Sequence, residues 1–275
     1  PVPPWRRALY RAVPLTQRLV RTLIYWQREF FALGFVYRPQ MMRSAERIAA
    51  HHLAAQVPDP DLRAKLTPHY AMGCKRILVS DDFYPAVTQP NVIVETAAIR
   101  EVRPHSIVTA AGREHEIDTI ICATGFHVTD MPIAPCVRGR GGATLAAAWQ
   151  GGIQAYLGTT VAGFPNMFLL IGPNTGLGHT SMVLMMESQF AYITDALRTM
   201  AQRQVQTVEI QPAAQQAYND EIQRKLQGTV WLSGCASWYL DANGRNTTLW
   251  PGFTWEFRRK TRRFDPAHYT MIPQR

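Results

Sequence analysis

The segment NMFLLIGPNTGLGHTSMVLMMESQ, residues 166–189, constrains the fold of this chain more than any other stretch. Residues 166–172 form a nearly unbroken apolar run that ends at Gly172, and a turn carrying Gly176 and Gly178 follows. Apolar residues then recur at Met182, Met186, Phe190, Ile193, Leu197 and Met200, the three-four spacing of a helix whose methionines serve as core packing. A run without polar alternation suits a strand covered on both faces, as in a parallel sheet. Ile120–Ala123, just before Thr124-Gly125, has the same grain. Strand, turn and helix in this order make half of a doubly wound unit, where ligands gather beyond the carboxyl ends of the strands. An α/β fold is therefore expected.

The rest of the chain falls into blocks. Residues 5–57 read as helical, interrupted at Pro14, Gly34 and Pro39, with Leu15, Leu19, Leu23 and Trp26 at helical spacing, and likewise Met41, Ala45, Ile48 and Leu53. From residue 66 the composition turns to loop and strand end. Short β-branched segments follow at Val92–Val94, Ile99–Val102, Ile107–Thr109 and Glu116–Ile117, parted by turn residues such as Pro104 and Gly112. They predict a small antiparallel meander. The tail, residues 218–275, reads as loop-rich and aromatic.

Several functions are disfavoured. The net charge of +9 suits polyanionic partners or phosphate-bearing cofactors, but the arginine clusters at the two ends sit in no nucleic-acid motif. Cys74, Cys122, Cys136 and Cys235 have neither CxxC nor metal spacing, so buried reduced thiols and a cytoplasmic home are expected. His51 and His52 are adjacent on a helix and share no face, which favours solvated histidines over a metal pair. The run TLIYWQREFFALGFV is broken by Gln27, Arg28 and Glu29 and cannot span a bilayer without burying charge. No metal site, membrane association or nucleic-acid partner is expected. The opening PVPPW reads as the middle of a longer protein.

The glycine turn is an incomplete dinucleotide fingerprint: Gly176-Leu-Gly178-His-Thr-Ser181 has serine where the third glycine belongs. A helix start after Gly178 would present unpaired N–H groups and partial positive charge, and glycines would let a planar or anionic group approach. A flavin edge, which gains negative charge on reduction, fits such a place. An ordinary strand–helix turn fits the same residues.

EIDTIICATGF, followed some forty residues later by FPNMFLLIGPNTGLGHTSMVLMMESQ, resembles the C-terminal half of class B flavoprotein monooxygenases, and more closely those of the Baeyer–Villiger type. The resemblance runs from PPW near the start to SWYLDANGRNTTLWPGFTWEFRRKTRRFDP near the end. It implies FAD and NADPH as cofactors and insertion of one oxygen atom of O2 beside the carbonyl of a ketone substrate. Asp118–Phe126, with Thr124 and Gly125, matches the segment linking the NADPH domain back to the FAD domain. The turn residues Asn174, Thr175, Gly176, Leu177, Gly178 and His179 become candidates for FAD binding.

GCKR, residues 73–76, falls where this family carries a Lys-Arg pair before an N-V strand, here Asn91-Val92. By the resemblance, Lys75 contacts the ribose or phosphate end of NADPH, and Arg76 reaches the flavin as the catalytic residue. Attack on a ketone carbonyl gives an anionic tetrahedral adduct, and a fixed, always-charged guanidinium favours that charge. Without the flanking pattern, Lys75-Arg76 would read as a solvated pair. Trp238 falls where the family has a cofactor-contacting tryptophan. Asp82 is placed either to orient Arg76 or to cap a loop end, and His179 either to donate to the flavin edge or to bond backbone.

The family's two G-x-G-x-x-G units and the signature between them are absent from this sequence. The expected architecture is thus a partial two-dinucleotide-binding-domain flavoprotein fold, with a helical insertion, a small antiparallel β meander and parallel-sheet strands. Residues 1–66 are expected to be the helical insertion of the NADPH domain, 67–119 the C-terminal part of that domain, and 120–275 the C-terminal part of the FAD domain. The N-terminal half of the same enzyme is the expected partner. Oxygenation of N or S atoms, and a non-catalytic remnant or interaction module, are the alternative functions.

Overall fold

Proline and glycine divide the front of the chain. In the computed structural model, which describes residues 2–125, 128–129 and 131–274, α1 (Pro4–Ala12) and α2 (Pro14–Ala32) each begin on a proline. A first-turn proline lacks only an N–H that would be unpaired in any case. A π turn, Leu33–Tyr37, follows, then α3 (Met42–Gln56) and α4 (Pro60–Leu66). Gly34 in the π turn lets the chain approach closely, since a Cβ there would stand 2.9 Å from Met42 Sδ.

Further along lie α5 (Phe83–Val87), β1 (Ile99–Val102), β2 (Ser106–Thr109) and β3 (Glu114–Glu116). They are followed by α6 (Leu145–Ala148), α7 (Met182–Gln202), β4 (Val205–Ile210), α8 (Pro212–Leu226), α9 (Thr254–Lys260) and β5 (Tyr269–Pro273).

The chain divides into two units. One comprises Pro1–Arg43, Tyr70–Ile77 and Val128–Arg275. Its core is aromatic: Trp231, Trp250, Tyr192, Tyr239 and Phe257 are fully buried, and Leu145, Trp149, Val161 and Phe164 form a further buried cluster. β4 pairs antiparallel with β5, Val208 opposite Met271 and Ile210 opposite Tyr269, and the hydroxyls of Tyr192 and Tyr269 meet at 2.8 Å.

The other unit comprises Ser44–His69 and Leu78–His127 and holds the meander, ordered β1-β2-β3 with antiparallel pairing throughout. Arg103 ties its rim together by bonding Glu101 and Glu114.

Helices and meander thus agree with the sequence, but four expectations need correction. Neither Ile120–Ala123 nor residues 166–172 forms a strand, and the described residues contain no parallel sheet. A strand exists only by pairing; both runs lack a ladder partner here, and Ile121 stands 88% exposed. Val92–Val94 is likewise unpaired. Secondly, the methionines of the α7 stripe are not core: Met182, Met186 and Met200 are only half-buried, and Phe190 and Leu197 of the same stripe are exposed, as are Leu15, Leu19, Leu23 and Trp26 on α2. α7 instead buries Met185, Ser188, Gln189, Tyr192 and Ala196. Thirdly, the tail contains α8, α9 and a strand. Fourthly, Cys74 and Cys235 are joined in a disulfide, while Cys122 and Cys136 are free and exposed, so none of the four is a buried thiol. Thiols far apart in sequence carry no pairing signal.

His51 and His52 are exposed on α3. The segment Asp118–Phe126 reaches Phe126, which lies outside the described residues. No described helix is long and apolar enough to cross a membrane.

Candidate cofactor cleft

Gly73 shapes the entry to the Lys-Arg pair. Its φ of +92° is costly for any side chain, and a Cβ would stand 2.6 Å from the Phe35 ring. Cys74 beside it is fully buried and bonded to Cys235, so Lys75 and Arg76 leave a fixed point. Lys75 Nζ lies 4.6 Å from the centre of the Tyr70 ring, and Arg76 is exposed at the surface of its unit.

Arg76 and the glycine turn meet. They share a cleft of about 1020 Å³ whose walls include Arg21, Arg28, Arg258, Gly178 and His179. Arg76 also lines a smaller cavity of about 260 Å³ with Thr175, Gly176, Leu177 and Trp238. Trp238 is partly exposed and packs 4.5 Å from Tyr239. Tyr239 is buried, which pushes its hydroxyl pKa up, and the Arg76 charge pulls it partly back. Against four arginines the larger cleft sets the carboxylate of Glu187, 3.7 Å from Arg21. Its field favours a ligand with several negative charges.

The turn works differently from the sequence expectation. The helix begins at Met182, not near His179, and Ser181 is its N-cap, accepting from the Val183 N–H at 3.2 Å. The serine at the third-glycine position therefore has a structural use. Gly176 N–H is also engaged, donating to Thr248 O at 2.8 Å, and a Cβ on Gly176 would stand 2.7 Å from that oxygen. Beyond it the backbone N–H groups of Leu177, Gly178 and Thr180 take no partner among the described residues. The buried Trp231 indole N–H is also unpartnered, and a Cβ on Gly178 would lie 3.6 Å from it. The backbone donors of Leu177, Gly178 and Thr180, which line the cleft, are what an anionic or carbonyl-edged ligand needs.

Other candidates face elsewhere. Asn174 is buried at a φ of +55°, and its side-chain amide donates to Asn246 O at 2.8 Å and Leu249 O at 3.0 Å. Thr175 Oγ1 donates to Gly172 O at 2.7 Å. Both side chains thus build the turn, leaving only their backbone for a ligand. His179 has a fully buried side chain 3.7 Å from Glu29. Thr124 and Gly125 belong to the other unit, where both are exposed and Gly125 takes a φ of +88°. Asp82 caps nothing; Ser80 Oγ accepts from the N–H groups of Asp82 and Phe83 ahead of α5.

Sequence reading missed Glu29, Trp231 and the arginines of α2 and α9. The one available signal was Tyr25–Glu29–Ala32, an inward face at helical spacing within α2.

The architecture is that of flavoprotein monooxygenases. A steroid monooxygenase bound to NADP matches with a TM-score of 0.77 and 26% identity, over 92% of this chain and 51% of its own. The cyclohexanone monooxygenase of Rhodococcus sp. Phi1, bound to NADP+, matches with a TM-score of 0.77 at 24% identity, over 88% of this chain and 47% of its own. In sequence, a Baeyer–Villiger monooxygenase of Streptomyces coelicolor is 50% identical over 97% of this chain and 52% of its own length. That of Pseudomonas aeruginosa is 49% identical over 96% and 51%. No family model matches the chain. The resemblance read from the sequence is borne out, and the chain spans about half the length of the curated relatives it matches.

Proposed function

We propose that this chain is the C-terminal half of an FAD- and NADPH-dependent Baeyer–Villiger monooxygenase, which inserts one oxygen atom of O2 beside a ketone carbonyl to give an ester or lactone. The reading rests on one observation: Arg76 shares a cleft with the unclaimed N–H groups of Leu177, Gly178 and Thr180. The unclaimed turn N–H groups and the arginine-lined walls fit a flavin cofactor with its phosphates.

FAD, when bound, supplies activation of O2 with electrons taken from NADPH. The turn N–H groups hold the flavin edge and favour negative charge there. Arg76 would hold a fixed positive charge toward the carbonyl oxygen of the ketone. Lys75 serves the ribose or phosphate end of NADPH, and Trp238 closes the smaller cavity. Thr124 and Gly125 are assigned as FAD contacts by the resemblance alone.

Residues 1–66 are assigned as the helical insertion of the NADPH domain, 67–119 as the remainder of that domain here, and 120–275 as the C-terminal part of the FAD domain. The partner is the N-terminal half of the same enzyme. Its strands would pair with the runs at 120–123 and 166–172, and its apolar surface would cover Phe190 and Leu197 of α7.

In the full-length enzyme, Arg76→Ala is expected to go on oxidising NADPH while releasing hydrogen peroxide in place of ester. Ester formation at the wild-type coupling ratio removes Arg76 from the reaction.

A further inference from the structure

Glu29 is 1% exposed, and among the described residues no arginine or lysine pairs with it. Burying a carboxylate costs several kcal/mol unless its oxygens are satisfied, and an apolar side chain of similar volume would fill the space without that cost. What a carboxylate adds is direction. Oε2 accepts from the backbone N–H of Thr254 at 3.0 Å, and Oε1 accepts from Thr254 Oγ1. Because a carboxylate only accepts, the Thr254 hydroxyl gives its proton to Glu29, and Tyr25 must then donate to Thr254 Oγ1, at 3.0 Å.

On the other side of Oε1, at 3.7 Å, stands His179 Nε2. That distance is slightly beyond hydrogen-bonding reach. Among the described residues no other group competes, for neither ring nitrogen of His179 has a partner there and the side chain is fully buried. A proton on Nδ1 would leave a buried N–H without an acceptor and would turn a bare lone pair toward a carboxylate. A proton on Nε2 removes both costs.

We propose that Glu29 is a positioning residue of the cofactor cleft: it accepts the Nε2–H of His179, fixes that tautomer, and so pins the 177–180 turn to α2 and α9. Each of these elements walls the cleft. α2 brings Arg21 and Arg28, α9 brings Arg258, and the turn brings its unclaimed N–H groups. One carboxylate joins the three. The consequence for FAD rests on the function proposed above.

The test uses full-length protein labelled with 15N-histidine, with the His179 signals assigned by their loss in His179→Phe. A long-range 15N–1H correlation spectrum is expected to show the His179 proton on Nε2. Flavin fluorescence quenching is expected to show about tenfold weaker FAD binding in Glu29→Leu, with Glu29→Leu/His179→Phe no weaker than the single variant, because contacting residues couple. Glu29→Asp, which keeps the charge, recovers part of the loss. A proton on Nδ1, FAD affinity in Glu29→Leu equal to wild type, or effects of the two single changes that add, overturns the proposal. Should a variant fail to fold, the wild-type spectrum decides alone. Wild-type protein that takes up no FAD refutes the function proposed above, whereas FAD uptake with the wrong tautomer refutes only the role of Glu29.

Discussion

Asn174 offers the sharpest quantitative test, because two separable costs meet in one residue. Its backbone is left-handed, at a φ of +55°, which a side chain other than Asn or Asp tolerates only at about 1 kcal/mol. Its amide supplies Leu249 O with a hydrogen bond at 3.0 Å and Asn246 O with one at 2.8 Å. Asn246 O keeps a second donor, Gln223 Nε2 at 3.0 Å, whereas Leu249 O has no other side-chain donor among the described residues. Asn174→Ala therefore strands one buried carbonyl, worth about 1–3 kcal/mol, loses a further bond worth about 1 kcal/mol, and adds the backbone strain. The sum is about 3–5 kcal/mol. Asn174→Gly loses the same bonds but relieves the strain, so it should be about 1 kcal/mol more stable than the alanine variant. Asn174→Asp sets carboxylate oxygens against carbonyl oxygens and should be at least as damaging as alanine. Urea unfolding followed by the fluorescence of buried Trp231 and Trp250 measures all three, with unchanged denaturant slope. An alanine variant within about 0.5 kcal/mol of wild type, or a glycine variant less stable than alanine, would show that the turn is held by something else.

Three further outcomes follow from the structure. The Cys74–Cys235 bridge spans a sequence separation of 161, for which loop closure predicts about 5 kcal/mol lost on reduction; unfolding with and without reductant reads this, and equal midpoints contradict the bridge. In the meander, Ser106 and Arg103 hold Glu114 below its usual carboxylate range, Arg103 does so for Glu101, and the Ala97 N–H and Arg113 do so for Glu95. A depressed folded pKa means that these groups stabilise above the ordinary carboxylate range, roughly pH 4, and that the contribution fades as pH falls through the lower folded values. The protection of amides in residues 99–116, taken relative to the intrinsic exchange rate at each pH, should fall on acidification below that range and stay level from neutral to mildly alkaline pH; the reverse order contradicts these pairings. Finally, the 275-residue chain alone should hold little or no flavin, and a stoichiometric yellow band after purification contradicts the need for the N-terminal half.

Local signals carried much of the fold. Pro14, Gly34 and Pro39 each mark a real break between front helices, and the alternation at 99–117 became the meander. What failed was every inference that needed a second surface. The runs at 120–123 and 166–172 have the composition of buried strands but lack partners, and the stripes at Leu15–Trp26 and Phe190–Leu197 face outward. Composition reports what a segment is suited to touch, not whether that neighbour is within the same stretch of chain. At the cleft, GCKR and the glycine turn were legible because each is a short contiguous motif. Glu29 was not: in one dimension it is a charge interrupting an apolar run, and only the packing of α2 against α9 and the turn makes it a buried acceptor. Ser181 misled for a related reason, since its position fits a failed fingerprint while its hydroxyl caps a helix.

Under the proposed function, Arg76 and the 177–180 turn enclose the place where an oxygen atom enters a ketone. Full-length protein supplied with FAD, NADPH and a panel of cyclic, linear and aromatic ketones under 18O2 tests it by mass spectrometry of the products. The account predicts an ester or lactone carrying one labelled oxygen for each NADPH consumed, and no ester from Arg76→Ala. Unlabelled ester, labelled ester at the wild-type rate from Arg76→Ala, or oxidation of NADPH with no ester from any ketone would contradict it.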